Sequence, residues 1–289
     1  MPESICYVDG AWGGSATPLM TSDTNAAWLA NAVFDGARAF EGVAPDLDLH
    51  CQRAVRSARG LHMEPPVTAE QIEALAREGI AKFPEGTPLY IRPMFWAESG
   101  LVLPDPASTR FALVITKMPL PDAGKGFTAC LSVYRRPSPE QAPTHAKAAC
   151  LYPLAGLALA DAKRRGFDNA VMCDIVGNVA ELTAQNIMFG KDGVVHTPIP
   201  NGTFLNGITR QRVIALLRDD GVEVRERAIR PAELLEADEI FSTGNHAKVV
   251  PCLRYESRTL DAGPIARRAR ELYWAFAHSR AAQPASARG

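Results

Sequence analysis

The amino-acid sequence predicts a mixed α/β fold of the α+β type, divided into two domains. The chain has 289 residues, which is enough for two ordinary domains. Strand-like stretches outnumber helical ones, and the helices fall between them irregularly, unlike the pattern of a doubly wound nucleotide-binding fold. Residues 119–126, PLPDAGKG, contain two prolines and two glycines without hydrophobic periodicity, so we expect them to link the domains.

Residues 1–118 are predicted to form a small N-terminal α/β domain. Thr68 and Gln71 have the spacing of a capping box, and Asp23 is a candidate cap for a short helix. Alternating or continuous apolar residues predict strands at residues 5–8, 34–43, 87–96 and 110–118. Helical spacing of apolar residues predicts helices near residues 24–32, 48–61 and 69–83.

Residues 127–289 are predicted to form a larger C-terminal domain. The strand pattern covers residues 127–135, 169–174, 223–228 and 239–243, with a hairpin formed by 186–190 and 194–197. Helices are expected at residues 152–166, 209–220 and 264–278. The tail from Ser279 is rich in Ala, Ser and Arg, so we expect it to be disordered.

Composition narrows the function classes. Hydrophobic residues make up 47% of the chain and the net charge is −1 without a basic stripe, so nucleic acid is not an expected partner. Six cysteines occur without a CxxC pair, which argues against a metal site or a disulfide framework and for a reducing cytoplasm. No apolar run approaches ~20 residues and the N-terminus lacks a signal-peptide pattern, so we expect no membrane partner.

One lysine stands among small and apolar residues in the stretch THAKAACLY. Lys147 lies between Ala146 and Ala148, and such a setting favours partial burial. Burial disfavours an ammonium ion, so more of the amine is available as a nucleophile that can form a Schiff base with a carbonyl. The alternative is a lysine at the edge of a small-residue packing surface.

Three further segments of the sequence contain candidate functional residues. Glu181 follows the turn at residues 177–178, where an acid is usually solvated. Gly207, Ile208 and Thr209 precede a predicted helix, so their amides and a hydroxyl could bind an anion or could form a plain N-terminal cap. Gly244 follows a predicted strand, and the turn after it could supply further N–H donors.

Seven short motifs in this order resemble the class IV (fold type IV) PLP-dependent aminotransferases, and most of all the branched-chain amino acid aminotransferases. They cover about residues 5–255. The motifs are FEG at 40–42, HxxR at 50–53, YIRP at 90–93, AKA followed by a tyrosine at 146–152, AE followed by Asn at 180–186, NGITR at 206–210 and STG at 242–244.

The resemblance implies two α/β domains with pyridoxal 5′-phosphate (PLP) in the cleft between them. Lys147 would be the Schiff-base lysine and the proton shuttle between Cα and C4′, Glu181 would pair with the pyridine nitrogen, and Arg53 would bind the phosphate. The other implied cofactor contacts are Tyr152, Leu205, Gly207, Ile208, Thr209, Gly244 and Asn245. The implied substrate contacts are Phe40, Tyr90, Arg92, Asn245 and His246.

The resemblance also implies a transamination between an amino acid, most plausibly a branched-chain L-amino acid, and 2-oxoglutarate. It implies a homodimer or higher homo-oligomer. Alternatives within the fold are a D-amino acid or (R)-amine aminotransferase and a lyase similar to aminodeoxychorismate lyase. A dimeric interaction module is a non-enzyme alternative. Ala44 and Asp35 depart from the branched-chain pattern near the expected side-chain pocket, and Asn245 stands where the family often has Thr.

Overall fold

A computed structural model describes residues 3–279 as two compact units. Within the described residues, the first unit comprises residues 3–120, His145–Leu151 and residues 277–279. The second unit comprises Pro121–Thr144 and Tyr152–Phe276. The short segment that holds Lys147 therefore packs with the N-terminal part of the chain. The linker at residues 119–126 stays a prediction.

The first unit is built on one antiparallel sheet with the strand order β2-β1-β6-β5-β3, in which β4 also pairs with β5. Its strands are β1 (Ser4–Val8), β2 (Ala11–Gly14), β3 (Ala32–Phe34), β4 (Ala37–Ala39), β5 (Leu89–Ala97) and β6 (Thr109–Lys117). Its helices are α1 (Asn25–Leu29), α2 (Leu47–Gly60) and α3 (Ala69–Ile80).

Helices α2 and α3 pack against β5 and β6 because each has one apolar face. Ile72 of α3, Ile91 of β5 and Ile115 of β6 are fully buried. The capping box predicted at Thr68 and Gln71 is confirmed, since both of its reciprocal hydrogen bonds are present.

Two predictions for this unit are wrong in detail. The cap of α1 is Thr24 rather than Asp23. The single strand expected at residues 34–43 is two short strands, because Asp35 and Gly36 interrupt the ladder. It also ends at Ala39, before a turn in which Glu41 has a φ of 51°.

The second unit is built on a mixed sheet with the strand order β12-β11-β10-β13-β14-β7-β8-β9, and β15 pairs with β14. The strands are β7 (Phe127–Arg135), β8 (Asn169–Cys173), β9 (Val179–Leu182), β10 (Asn186–Lys191), β11 (Val194–Pro198), β12 (Val224–Arg227), β13 (Glu239–Gly244), β14 (Lys248–Tyr255) and β15 (Arg258–Thr259). The helices are α4 (Tyr152–Arg164), α5 (Ile208–Asp219), α6 (Pro231–Leu234) and α7 (Pro264–Ala277).

Helix α4 packs on β7 and β8, and α5 packs on β13. The core beneath the sheet includes Val171, Ile187, Phe189 and Tyr255. The predicted hairpin of β10 and β11 is confirmed. The predicted disorder of the C-terminal tail concerns residues that, after Ser279, lie outside the described part of the chain. Among residues 3–279, none of the helices combines the length and apolar content needed to cross a bilayer.

Candidate functional site

The backbone around Lys147 is fixed from two sides within the first unit. The Lys147 amide donates to the Ser57 hydroxyl of α2 at 3.0 Å, and the Lys147 carbonyl accepts from the Phe34 amide at 3.2 Å. Ala146 and Ala148 are fully buried, while the Lys147 side chain is half-buried with its Nζ 5.1 Å from the centroid of the Phe34 ring. The structure therefore gives Lys147 the partly apolar setting that its neighbours predicted.

Arg53, the predicted phosphate ligand, lies on α2 and is bound to a buried carboxylate. Its Nε donates to Asp35 Oδ2 at 2.6 Å and its Nη2 donates to Asp35 Oδ1 at 2.8 Å. His50 Nδ1 lies 2.7 Å from the same Oδ1. Burial alone would raise the pKa of the Asp35 carboxyl, but Arg53 and His50 outweigh burial and hold that pKa far below its ordinary value.

This contact changes the interpretation of Asp35. The sequence departure at this position was expected to lie near the substrate side-chain pocket. The Asp35 side chain is fully buried and faces α2 through Arg53 and His50. Its chemistry belongs with Arg53.

The predicted substrate residues Tyr90 and Arg92 alternate with buried residues along β5 and share one face of the sheet. Arg92 Nε is buried, and within residues 3–279 it has no hydrogen-bond partner. The Tyr90 hydroxyl approaches Gly36 so closely that a Cβ there would lie 2.1 Å from it. The third predicted residue, Phe40, is buried in the turn that follows β4.

Arg38 is a further residue of this region, and no motif singled it out. It is fully buried, and its guanidinium lies 5.8 Å from the Tyr90 ring centroid. It donates to the carbonyls of Met118 and Pro119 at 2.6 and 3.1 Å. Burial lowers the pKa of Arg38 to about 10.

Glu181 belongs to the second unit, where it is the third residue of strand β9 and is nearly buried. Its Oε1 lies 3.2 Å from Arg136 Nε, and its Oε2 accepts from Asn186 Nδ2 at 3.5 Å. The nearby guanidinium favours the ionised form of a buried carboxylate. The structure therefore supplies a charged, oriented acceptor rather than the solvated acid that is usual at a strand end.

Asn186 connects Glu181 to the loop that precedes α5. Besides its bond to Glu181, its Nδ2 donates to the Leu205 carbonyl at 3.0 Å, and its Oδ1 accepts from the Gly207 amide at 3.1 Å. Gly207 is the N-cap of α5 and has no side chain to satisfy the amides of the first turn. Ile208 and Thr209 follow in that turn, so the helix start has the form of an anion site.

Of the predicted residues, Gly244 ends β13, and Asn245 and His246 lie in the turn between β13 and β14. Thr243 pairs in register with Asn186 of β10, and α5 packs on the same strand. Within the described residues, Thr243 Oγ1 and Asn245 Nδ2 are buried and have no hydrogen-bond partner. Two unsatisfied buried donors beside a helix N-terminus suit an anionic group such as a phosphate.

Tyr152 is the first residue of α4 and is half-buried. It belongs to the second unit, five residues along the chain from Lys147. The first unit thus holds Lys147, Arg53, Phe40 after β4, and Tyr90 and Arg92 on β5. The second unit brings Glu181, the start of α5 and the turn after β13 onto neighbouring elements.

Sequence reasoning missed four residues that shape these sites: Asn186, Arg136, Thr243 and Asp35 as a partner of Arg53. Asn186 and Thr243 lay inside quoted motifs, so their position in those motifs was the available signal. Arg136 follows a predicted strand and offered no pattern of its own. These contacts join residues far apart in sequence, which is why local spacing could not reveal them.

The observed groups fit PLP. This cofactor presents a phosphate, a pyridine nitrogen and an aldehyde, and the chain offers buried donors for an anion, a buried carboxylate and a half-buried lysine amine. Together with the two α/β units, these features define an enzyme of the PLP-dependent class.

Comparison with known proteins supports the same class of enzyme. The profile of the family described as amino-transferase class IV matches residues 32–255. An aminotransferase from Brucella abortus, solved with PLP, is 50% identical with a TM-score of 0.94 over 96% of this chain and 99% of that one. The chain belongs to the class IV aminotransferases and is therefore a PLP-dependent transaminase.

Two relatives bear the name of one subgroup. A probable branched-chain-amino-acid aminotransferase from Aquifex aeolicus is 32% identical over 264 residues, which are 87% of this chain and 85% of that protein. A branched-chain amino acid aminotransferase from the organism abbreviated T.th., solved with N-(5′-phosphopyridoxyl)-L-glutamate, is 29% identical with a TM-score of 0.88. That match covers 97% of this chain and 95% of that one.

Proposed function

We propose that this transaminase moves an amino group from a branched-chain L-amino acid to 2-oxoglutarate. The names of the Aquifex aeolicus and T.th. proteins support the first substrate. The ligand of the T.th. structure joins the cofactor to glutamate, the amino acid that 2-oxoglutarate becomes on amination. It supports the second substrate.

The observation that carries the proposal is Arg92. Its Nε is buried, and within residues 3–279 this atom has no hydrogen-bond partner. The Arg92 side chain as a whole is half-buried, and a buried guanidinium nitrogen without a partner is unfavourable until an anion reaches it. The planar guanidinium can bind a carboxylate with two parallel bonds. The γ-carboxylate of 2-oxoglutarate is such an anion, while Tyr90 on the same face offers an apolar ring to a branched side chain.

In the first unit, Lys147 and Arg53 have separate tasks under this proposal. Lys147 would hold PLP covalently through Nζ, and the same amine, released when the substrate amine takes its place, would accept the proton from the substrate Cα. Its fixed backbone keeps the amine in place for both tasks. Arg53 donates to the phosphate.

In the second unit, the proposed cofactor contacts divide by the part of PLP that they bind. Glu181 keeps a proton on the pyridine nitrogen, since Arg136 and Asn186 hold its carboxylate ionised and oriented. Tyr152 donates to the phenolate oxygen and Leu205 packs on the ring. The proposed phosphate contacts are Gly207, Ile208, Thr209, Gly244 and Asn245. Asn245 and His246 are also proposed to reach the substrate carboxylate.

PLP, when bound, withdraws electrons from the bonds at the substrate Cα. The protein residues decide which bond breaks and where its proton goes. Glu181 strengthens the electron withdrawal through the proton at the pyridine nitrogen, and Lys147 collects the proton that leaves Cα.

A spectral titration tests the substrate assignment. The absorbance band of the holoenzyme is followed while L-leucine, D-alanine and (R)-1-phenylethylamine are added in turn. We expect L-leucine to convert the band at the lowest concentration and 2-oxoglutarate to restore it. A response to D-alanine or the (R)-amine alone would assign the enzyme to one of the alternatives within the fold.

A further inference from the structure

The buried Asp35 carboxylate accepts hydrogen bonds from three different residues. It accepts from the Gly36 amide at 2.7 Å, from His50 Nδ1 at 2.7 Å and from two nitrogens of Arg53 at 2.6 and 2.8 Å. Because the carboxylate is ionised, His50 Nδ1 must carry the hydrogen of its bond. Oδ1 therefore receives three bonds and Oδ2 one, and the side chain is fully buried.

Asp35 binds one particular edge of Arg53. The guanidinium is planar, and a carboxylate on the Nε and Nη2 edge fixes both the plane and the direction in which Nη1 points. Arg53 would otherwise be a long side chain on α2 with many rotamers. His50, one helical turn earlier on α2, holds the same carboxylate and prevents it from following Arg53 elsewhere.

We propose that Asp35 is a positioning residue for binding of the cofactor phosphate. Asp35 acts through Arg53, whose guanidinium it orients by binding the Nε and Nη2 edge. This inference rests on the proposed phosphate role of Arg53. It gives a physical role to Asp35, which departs from the branched-chain pattern. Asp35 and Arg53 together carry no net charge, so Arg53 contributes a directed hydrogen bond. Under the proposed function, the remaining phosphate donors are those of the second unit.

The test compares PLP with pyridoxal, which lacks the phosphate, as ligands of the full-length apoprotein. Dissociation constants are measured by absorbance titration, and folding of each variant is checked by circular dichroism. Asp35→Asn places an amide donor against the donors of Arg53 and His50. We expect it to weaken PLP binding about tenfold while pyridoxal binding changes less than about twofold. A purely structural role would weaken both ligands equally and would overturn the inference.

Glu239→Gln is the matched control. Glu239 is also a buried carboxylate, and it accepts from the Ile265 and Ala266 amides at the start of α7. Its loss should lower thermal stability without changing the ratio of the two dissociation constants. If Asp35→Asn does not fold, Asp35→Ser, which removes the charge and the bidentate contact without adding an amide donor, is measured in its place.

Arg53→Ala separates this inference from the proposed function. If Arg53→Ala lowers the preference for PLP over pyridoxal and the Asp35 variant does not, Asp35 has no positioning role. The proposed phosphate role of Arg53 then still stands. If Arg53→Ala leaves the preference unchanged, the phosphate role of Arg53 is itself wrong. In the Arg53→Ala background we expect Asp35→Asn to have no further effect on the preference, because the residue that it aims is gone.

Discussion

At the residue scale, one carboxylate of the second unit, that of Glu181, has two side-chain partners. Glu181 is nearly buried, and both of its oxygens are engaged, one by Arg136 and one by Asn186. Burying a charge is unfavourable unless it is paired and hydrogen-bonded. An oriented carboxylate of this kind can accept one more hydrogen bond, and a protonated pyridine nitrogen could donate it.

Glu181→Gln should retain PLP and lose turnover by several orders of magnitude. The amide keeps the shape of the side chain but cannot stabilise a protonated pyridine nitrogen, so chemistry suffers and binding does not. Absorbance measures bound cofactor and single-turnover kinetics measures the chemical step. Glu226→Gln, which loses an ion pair with Arg210 in the same unit, should leave both unchanged. Near-normal turnover in the Glu181 variant would mean that this glutamate is misassigned.

Arg92→Ala should raise the KM for 2-oxoglutarate about 10- to 100-fold, the range for losing a charge-assisted contact, and change the KM for L-leucine much less. Steady-state kinetics with each substrate varied in turn gives the comparison. Arg92→Lys keeps the charge without the planar fork, so its KM for 2-oxoglutarate should fall between the two. Equal losses for both substrates would indicate a structural arginine.

At the element scale, the start of α5 depends on a glycine. Gly207 has ordinary backbone angles, φ −61° and ψ 139°, so its need for glycine is steric. A Cβ there would lie 2.2 Å from Asn186 Oδ1, the oxygen that accepts from the Gly207 amide. Asn186 is buried and tied to Glu181 and to the Leu205 carbonyl, so it cannot move away without breaking those bonds.

Gly207→Ala should therefore lower both PLP affinity and Tm. The added methyl group displaces Asn186, and with it the anion-binding turn and the orientation of Glu181. Gly156→Ala on α4 is the matched control, since a Cβ there meets nothing within 4 Å. Within a helix this change should stabilise the protein by about 0.5–1 kcal/mol and leave PLP affinity unchanged. An unaltered PLP affinity in the Gly207 variant would show that the turn tolerates a side chain.

The elements that were predictable from sequence are those with local signals. The capping box of α3, the hairpin of β10 and β11 and the bounds of β7 follow from nearby residues. The break between β3 and β4 did not, because Asp35 leaves the ladder to meet Arg53 and His50 on α2. Strand β14, which contains Pro251, was not predicted from the sequence, and it pairs with β13 and β7. Both features depend on partners that are distant in sequence, so a local stretch of sequence does not predict them.

At the scale of the whole molecule, the first unit exposes an apolar loop. Leu101, Val102 and Leu103 are each at least 66% exposed, and the Asn25 amide holds the loop by donating to the carbonyls of Gly100 and Leu101. A fixed loop that presents three adjacent apolar side chains to solvent is typical of an interaction site. It supports the proposal that the enzyme is a homodimer or a larger homo-oligomer.

Light scattering at micromolar concentration should give at least twice the 31.2 kDa mass of one chain. Val102→Asp should shift the distribution toward the single-chain mass, because a charge opposes burial of the loop. Leu157→Asp on α4 is a control at another exposed apolar residue. A fully active protein with the mass of one chain would contradict the proposal.

The central claim is that Lys147 holds the cofactor, and borohydride reduction followed by peptide mapping tests it most directly. Reduction fixes the cofactor on the amine that carries it, and mass spectrometry of the digest then locates the added mass. The account predicts that this mass lies on the peptide containing Lys147 and that Lys147→Ala removes it. A label on Lys117, Lys163 or the buried Lys248 in the wild-type protein would contradict the account.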